Sequence, residues 1–121
     1  GDEPVAGWYS ARLIKDGPLV PIRLWFGAPE IDGEVQDRAP RWCIEVAGAT
    51  DWVEKDEANP EYRCRVPLDV SRYWPWGGKN KISEEEYAYL ISHAEWAKAY
   101  APHLPDAQPR KKIDRRGPSV F

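Results

Sequence analysis

Tryptophan and arginine alternate on two neighbouring segments near the start of the chain, where Trp8 and Arg12 precede Arg23 and Trp25. Indole rings stack on nucleic-acid bases, and guanidinium groups pair with phosphate oxygens through two parallel hydrogen bonds. These residue types therefore predict a site for a nucleotide or a single strand. The full set of predicted ligand-binding residues is Trp8, Arg12, Arg23, Trp25, Arg41, Arg63 and Arg65.

A β-hairpin must bring these side chains together. Asp16-Gly17 lies between two alternating segments, Trp8–Ile14 and Leu19–Phe26, and Asp-Gly in that setting is a strong hairpin signal. A short loop predicts that Ile14 pairs with Leu19, which places Trp8 opposite Trp25 on one face and leaves an apolar inner face. Cross-strand packing of the two indoles, burial under the C-terminal arm, and a protein interface are the alternatives for this surface.

A second aromatic surface is predicted on the helix that follows. Ser83 with Glu86 forms a capping box, and Pro102 ends the helix, so the pattern predicts a helix from Ser83 to Ala101. Its two non-polar stripes are Tyr87, Leu90, Ile91, Ala94, Ala97 and Ala101 on one side, and Tyr89, His93, Trp96 and Tyr100 on the other. The first stripe is expected to pack on the apolar inner face of the sheet, with the Trp and Arg face on the other side. The second is a predicted interface, covered by the Trp74–Trp76 loop or by a second copy in a homo-oligomer, with a ligand pocket as the less favoured interpretation.

The remaining segments complete the predicted fold. Arg41–Ala47 and Tyr62–Val70 alternate as strands, whereas Gly27–Pro40 and Gly48–Pro60 are predicted to be loops. We therefore expect an α+β protein with a twisted antiparallel sheet of four to five strands and one C-terminal helix packed across it. An SH3-like arrangement uses the same elements. Residues 1–104 form the predicted domain, and residues 105–121 form an extended basic arm.

Charge and cysteine content exclude several classes of protein. The formal net charge is −3, and residues 106–121 hold five Lys or Arg against two Asp, so this segment carries +3 and the rest −6. Such a balance argues against binding of duplex DNA. Cys43 and Cys64 are predicted to be free thiols, and their spacing from His93 and His103 fits no metal site. No cofactor is expected, and the absence of a long apolar run predicts a soluble protein without membrane contact.

Catalytic motifs are weak in this sequence. The run Trp76-Gly77-Gly78-Lys79 lacks the spacing of a phosphate-binding loop, and no Gly-x-Ser-x-Gly turn is present. We therefore expect a binding protein rather than an enzyme.

Four runs resemble small accessory proteins encoded by tailed bacteriophages and prophages. They are residues 7–14 (GWYSARLI), 17–27 (GPLVPIRLWFG), 74–76 (WPW) and 82–87 (ISEEEY). The resemblance implies a protein that acts in the cytoplasm of the bacterial host. Such proteins often antagonise host defence, and the Trp and Arg residues favour sequestration of a nucleotide-type ligand. The alternative is an inhibitor or adaptor that blocks a host protein complex.

Overall fold

The structure is a computed structural model that describes residues 3–74 and 80–110. Its strands are β1 (Gly7–Arg12), β2 (Leu19–Gly27), β3 (Glu30–Ile31), β4 (Glu34–Val35), β5 (Arg41–Val46), β6 (Asp51–Lys55), β7 (Arg63–Pro67) and β8 (Lys81–Ile82). Helix α1 spans Glu84–Tyr100, and two short 3-10 helices span Val70–Arg72 and Pro105–Ala107.

The main sheet has four strands in the order β5-β2-β1-β8, and every neighbouring pair is antiparallel. Two separate two-stranded ribbons, β3–β4 and β6–β7, accompany it. This arrangement confirms the predicted α+β class with an antiparallel sheet and one helix.

The register of the first hairpin differs from the predicted one by two residues. Arg12 pairs with Leu19 and Trp8 pairs with Arg23, so Trp8 is not opposite Trp25. The loop is longer than predicted because Asp16 adopts a left-handed backbone (φ 60°) and the Gly17 N–H donates to the Ile14 carbonyl at 3.0 Å. A shift of two residues keeps every side chain on its predicted face, because strand side chains alternate with a period of two.

Two predicted loops contain strands that the sequence did not reveal. β6 lies in the predicted loop Gly48–Pro60 and pairs with β7, and the β3–β4 ribbon lies in the predicted loop Gly27–Pro40. Most side chains of β4 and β6 are exposed, so these strands carry no alternation of buried and exposed residues that a pattern could detect.

The inner face of the main sheet forms the core. Its buried residues are Tyr9, Ala11, Val20, Ile22, Leu24, Ile44 and Val46. The segment after β7 closes this face: Leu68, Val70, Tyr73 and Trp74 pack against the core, and the Trp74 ring meets the Tyr9 ring edge-on at 5.7 Å. The expectation that the helix covers the inner face is therefore wrong.

Helix α1 packs instead toward the opposite face of the sheet. Pro21 and Ser10 on that face are buried, and Leu90 and Ala94 of the helix line a cleft together with Pro21. Asn80, just before β8, donates through its side chain to Ser10 Oγ at 2.5 Å, so the buried hydroxyl has a partner. The helix stripe that packs is rich in alanine, and small side chains allow the helix to approach a sheet closely.

The predicted ends of the helix are confirmed. Ser83 is the N-cap, and its Oγ accepts a hydrogen bond from the Glu86 N–H at 3.1 Å. Three glutamates occupy the first turn, where negative charge is favourable at the positive end of the helix dipole. Ala101 caps the C-terminal end, and its N–H donates to the Ala97 carbonyl.

Candidate functional site

Arg23, which was predicted to hold phosphates, is already paired with protein groups. Its Nη2 lies 2.8 Å from Glu30 Oε2 and 3.5 Å from Glu45 Oε2, and its guanidinium carbon lies 4.1 Å from the centre of the Trp25 ring. One cation thus faces two carboxylates, which gives the cluster a formal charge of −1. Both carboxylates lie at Nη2, so an incoming phosphate would meet their negative charge beside the guanidinium.

The neighbouring tryptophans are also partly covered. Trp25 is half-buried, and its Nε1 donates to the Ala28 carbonyl at 3.2 Å. Trp8, also half-buried, lies beside Arg23 across the strand pair. Cys43 of β5 pairs with Trp25 of β2. It is buried, and burial raises the pKa of its thiol. This end of the face is a packed cluster with part of each indole still accessible.

The seven predicted ligand residues do not form one site. Arg12 lies at the far end of β1 from Trp25, and Arg41 is exposed at the start of the edge strand β5. Arg63 and Arg65 belong to the separate β6–β7 ribbon, where Arg65 pairs with Asp51 at 2.9 Å. The structure therefore brings Trp8, Arg23 and Trp25 together, leaves Arg41 at the edge of this cluster next to Cys43, and places Arg12, Arg63 and Arg65 elsewhere.

The four predicted interface residues do form one surface, which we call the aromatic ladder: Tyr89, His93, Trp96 and Tyr100. Neighbouring rings lie 6.1, 5.8 and 6.3 Å apart between centroids, and the first two pairs are stacked. Tyr89, Trp96 and Tyr100 are 66%, 50% and 77% exposed. The residue spacing of three and four predicted this arrangement, because such residues lie above one another on a helix.

A side-chain contact with Asp106 holds the second ring of the ladder. His93 Nε2 lies 2.7 Å from Asp106 Oδ2, and Asp106 belongs to the 3-10 helix Pro105–Ala107, which packs on α1. Asp106 lies in the predicted extended arm, so the first residues of that segment contact the helix. Residues 111–121 of the arm lie outside the described residues.

The first residue of the loop that was predicted to cover the ladder packs on the core instead. Trp74 packs on Tyr9 in the core, whereas Pro75 and Trp76 lie outside the described residues. Coverage of the ladder by a second copy stays a prediction.

A cleft of about 270 Å³ lies between the ladder and the first hairpin. It joins the two predicted sets, because Arg12 from one and Tyr89 and His93 from the other line the same space. The lining residues are Arg12, Pro18, Leu19, Val20, Pro21, Ala47, Tyr89, Leu90, His93, Ala94, Lys98, Asp106 and Pro109.

Lys98 is a cleft residue that sequence reasoning missed. On a helical wheel of about 100° per residue, Lys98 falls between Ala94 and Ile91, inside the stripe that packs on the sheet. A cation in an otherwise apolar stripe was the signal that could have found it.

Within residues 3–74 and 80–110, no group of three or more His, Cys, Asp or Glu side chains is placed to hold a metal ion. Both cysteines are free, as predicted. In the same part of the chain, no helix is long and apolar enough to cross a membrane.

Comparison of the chain with protein-family models, with curated proteins and with solved structures found no match.

Proposed function

We propose that this protein acts by binding rather than catalysis, and that it docks onto another protein through the aromatic ladder. The observation that carries the proposal is the exposure of Tyr89, Trp96 and Tyr100 in one continuous row of rings. Contiguous exposed apolar surface marks interaction sites on soluble proteins, and Trp and Tyr are enriched among the residues that contribute most to binding.

The ladder is also ordered before any partner arrives. Ring contacts along the helix and the His93–Asp106 pair restrict the side chains, while Ala97 and Ala101, both buried, fix the helix on the protein body. Side chains that are already fixed lose less conformational entropy on binding, which raises affinity. The row from Tyr89 to Tyr100 is about 16 Å long at a rise of about 1.5 Å per residue. This length suits a helix or an extended segment of the partner.

Sequestration of a nucleotide by the Trp and Arg face is supported less well. That proposal assigned phosphate binding to Arg12 and Arg23, but Arg23 is paired with Glu30 and Glu45, and Arg12 lies at the other end of β1. Beside the partly exposed indoles a nucleotide would meet Arg23 with its two carboxylates, and the exposed Arg41 lies only at the edge of this cluster, next to Cys43. The alternative function, blocking of a protein complex, does not require Arg23 to bind a ligand.

The resemblance to accessory proteins of tailed bacteriophages supplies the context of the proposal. In that context the partner is a bacterial host protein, the compartment is the host cytoplasm, and binding antagonises a defence complex. The ladder provides the contact surface that such an inhibitor or adaptor requires.

Capture from bacterial lysate with matched variants tests the proposal. We expect wild type to retain a stoichiometric protein partner, Trp96→Glu to lose it, and Trp52→Glu to keep it. Trp52 is the matched control because it is 43% exposed, close to the 50% of Trp96, but lies on β6. Equal capture by all three variants would show that the ladder is not the docking surface. Light scattering of the same variants distinguishes a second copy from a different partner.

A further inference from the structure

The cleft beside the ladder combines an apolar wall with two cationic groups. Leu19 and Pro21 of β2 form one side, and Leu90 and Ala94 of α1 form the other. The apolar part of the lining exceeds the polar part, as it does in most sites that receive a ligand group.

The two cations at the cleft are available for a new partner. Lys98 is exposed and forms no ion pair with any residue of the described ranges. Arg12 donates through Nη1 to the Gly17 carbonyl, which leaves its other N–H groups for a further acceptor. The carboxylate of Asp106 also lines the cleft, with its Oδ2 2.7 Å from His93 Nε2, so two cationic side chains face one carboxylate there.

Positive charge continues beyond the cleft. A second depression adjoins the first and shares Ala47, Lys98 and Pro109 with it, and Arg110 lines its far end. Arg12, Lys98 and Arg110 thus follow one another along this side of α1, although the chain as a whole carries a formal charge of −3. A locally positive surface on an acidic protein favours an anionic partner group.

We propose that the cleft receives an apolar side chain of the partner protein, and that an acidic residue next to it pairs with Arg12 and Lys98. This inference rests on the proposed function and names the chemistry of the partner segment. Tyr89 and His93 border both the ladder and the cleft, so one segment contacts both without a gap. The cleft, at about 270 Å³, has room for one apolar side chain, and the adjoining depression of about 560 Å³ has room for the residues next to it.

Peptide selection tests the inference. Random twelve-residue peptides are displayed and selected on the immobilised full chain, and the enriched peptides are synthesised. We expect enrichment of Leu, Ile or Phe with Asp or Glu beside it. We expect the double variant Arg12→Glu/Lys98→Glu to bind these peptides at least tenfold more weakly, after circular dichroism and the melting temperature have shown that it is folded.

Charge exchange separates recognition from a structural effect. The enriched peptide is resynthesised with Lys in place of its acidic residue, and this peptide is expected to bind the double variant better than wild type. A merely structural role of Arg12 and Lys98 would not produce that gain. Selection without acidic enrichment, no selected peptide at all, or equal binding by wild type and the double variant would overturn the inference.

The outcomes also distinguish this inference from the proposed function. Peptides that lose binding to Trp96→Glu but not to Arg12→Glu/Lys98→Glu would support the ladder and reject the cleft. Peptides that lose binding to Arg12→Glu/Lys98→Glu but bind Trp96→Glu normally would support the cleft and reject the ladder. Binding of a second copy of the chain, seen by light scattering and abolished by the same charge reversal, would reject a foreign partner segment.

Discussion

His93 Nε2 lies 2.7 Å from Asp106 Oδ2, and this pair joins the last described 3-10 helix to the middle of the aromatic ladder. The His93 ring is stacked between the rings of Tyr89 and Trp96. By fixing His93, Asp106 therefore also restricts the two neighbouring rings. The contact links a segment that the sequence marked as a tail to the surface that we propose as the binding site.

Asp106→Ala is expected to weaken partner binding severalfold while changing stability little. Both side chains of the pair are more than a third exposed, and such surface pairs contribute about 0–1 kcal/mol to the free energy of unfolding. Binding is more sensitive, because an unrestrained His93 adds an entropy cost on docking. Isothermal titration with the captured partner or a selected peptide measures the loss. Asp106→Asn keeps a hydrogen-bond acceptor and should recover most of the affinity; no recovery would reject the positioning role.

Trp74→Ala is expected to lower the free energy of unfolding by about 2–3 kcal/mol, somewhat less than for a fully buried tryptophan. Trp74 is half-buried and packs on the core beside Tyr9. Urea denaturation gives the change, with Trp52→Ala as the exposed control, for which we expect less than about 1 kcal/mol. Equal effects of the two substitutions would contradict closure of the inner face by the segment after β7.

The two thiols are expected to differ in reactivity. Cys64 is exposed, whereas Cys43 is buried and burial raises the pKa of its thiol, which leaves less thiolate at pH 8. Ellman's reagent should therefore modify one thiol in the native protein and two after unfolding in guanidinium. Cys64→Ser should remove the native reaction. Rapid modification of Cys43 in folded Cys64→Ser would show that this side of the sheet is open.

Asp69 is expected to stabilise the protein at neutral pH but not in acid. Its carboxylate accepts hydrogen bonds from the Ser71 hydroxyl at 2.8 Å and the Ser71 N–H at 3.0 Å, and these bonds lower the pKa of Asp69. A lowered pKa in the folded state means that the stabilisation is present above the unfolded pKa of about 3.9 and is lost as the pH falls through the folded value.

The matching measurement is the stability of Asp69→Ala against wild type at pH 7 and at about pH 2. The side chain is exposed, so we expect a difference of only about 0.5–1 kcal/mol at pH 7, the size of a typical net hydrogen bond. The difference should shrink in acid. A difference that persists unchanged at low pH would indicate that the cap does not act through the ionised carboxylate.

Local sequence signals were sufficient for the helix and for the faces of the strands. Ser83, Glu86 and Pro102 marked the helix ends, since capping is a property of adjacent residues. The inner face was also correct despite the wrong register, because a slip of two residues moves no side chain to the other face.

The contacts between distant segments could not be predicted in the same way. The left-handed backbone at Asp16 decides the register of the hairpin. Val70 and Trp74 cover the inner face of the sheet, so the helix packs on the opposite face. The partners of Arg23 come from β3, which lay in a predicted loop, and from β5. Alternation predicted that Arg23 and Glu45 both face away from the core, but it gave no information about Glu30, because that residue lay in a predicted loop.

The central claim is that the aromatic ladder is the docking surface, and hydroxyl-radical footprinting of the full chain with and without its captured partner tests it most directly. Oxidation of Tyr89, Trp96 and Tyr100 is predicted to fall severalfold in the complex, because their exposed rings become covered. Oxidation of Trp52 and Tyr62, which are exposed on and beside the β6–β7 ribbon, is predicted to stay unchanged. Protection of Trp8 and Trp25 with an unprotected ladder would contradict the account. It would indicate that the partner binds the Trp and Arg face instead.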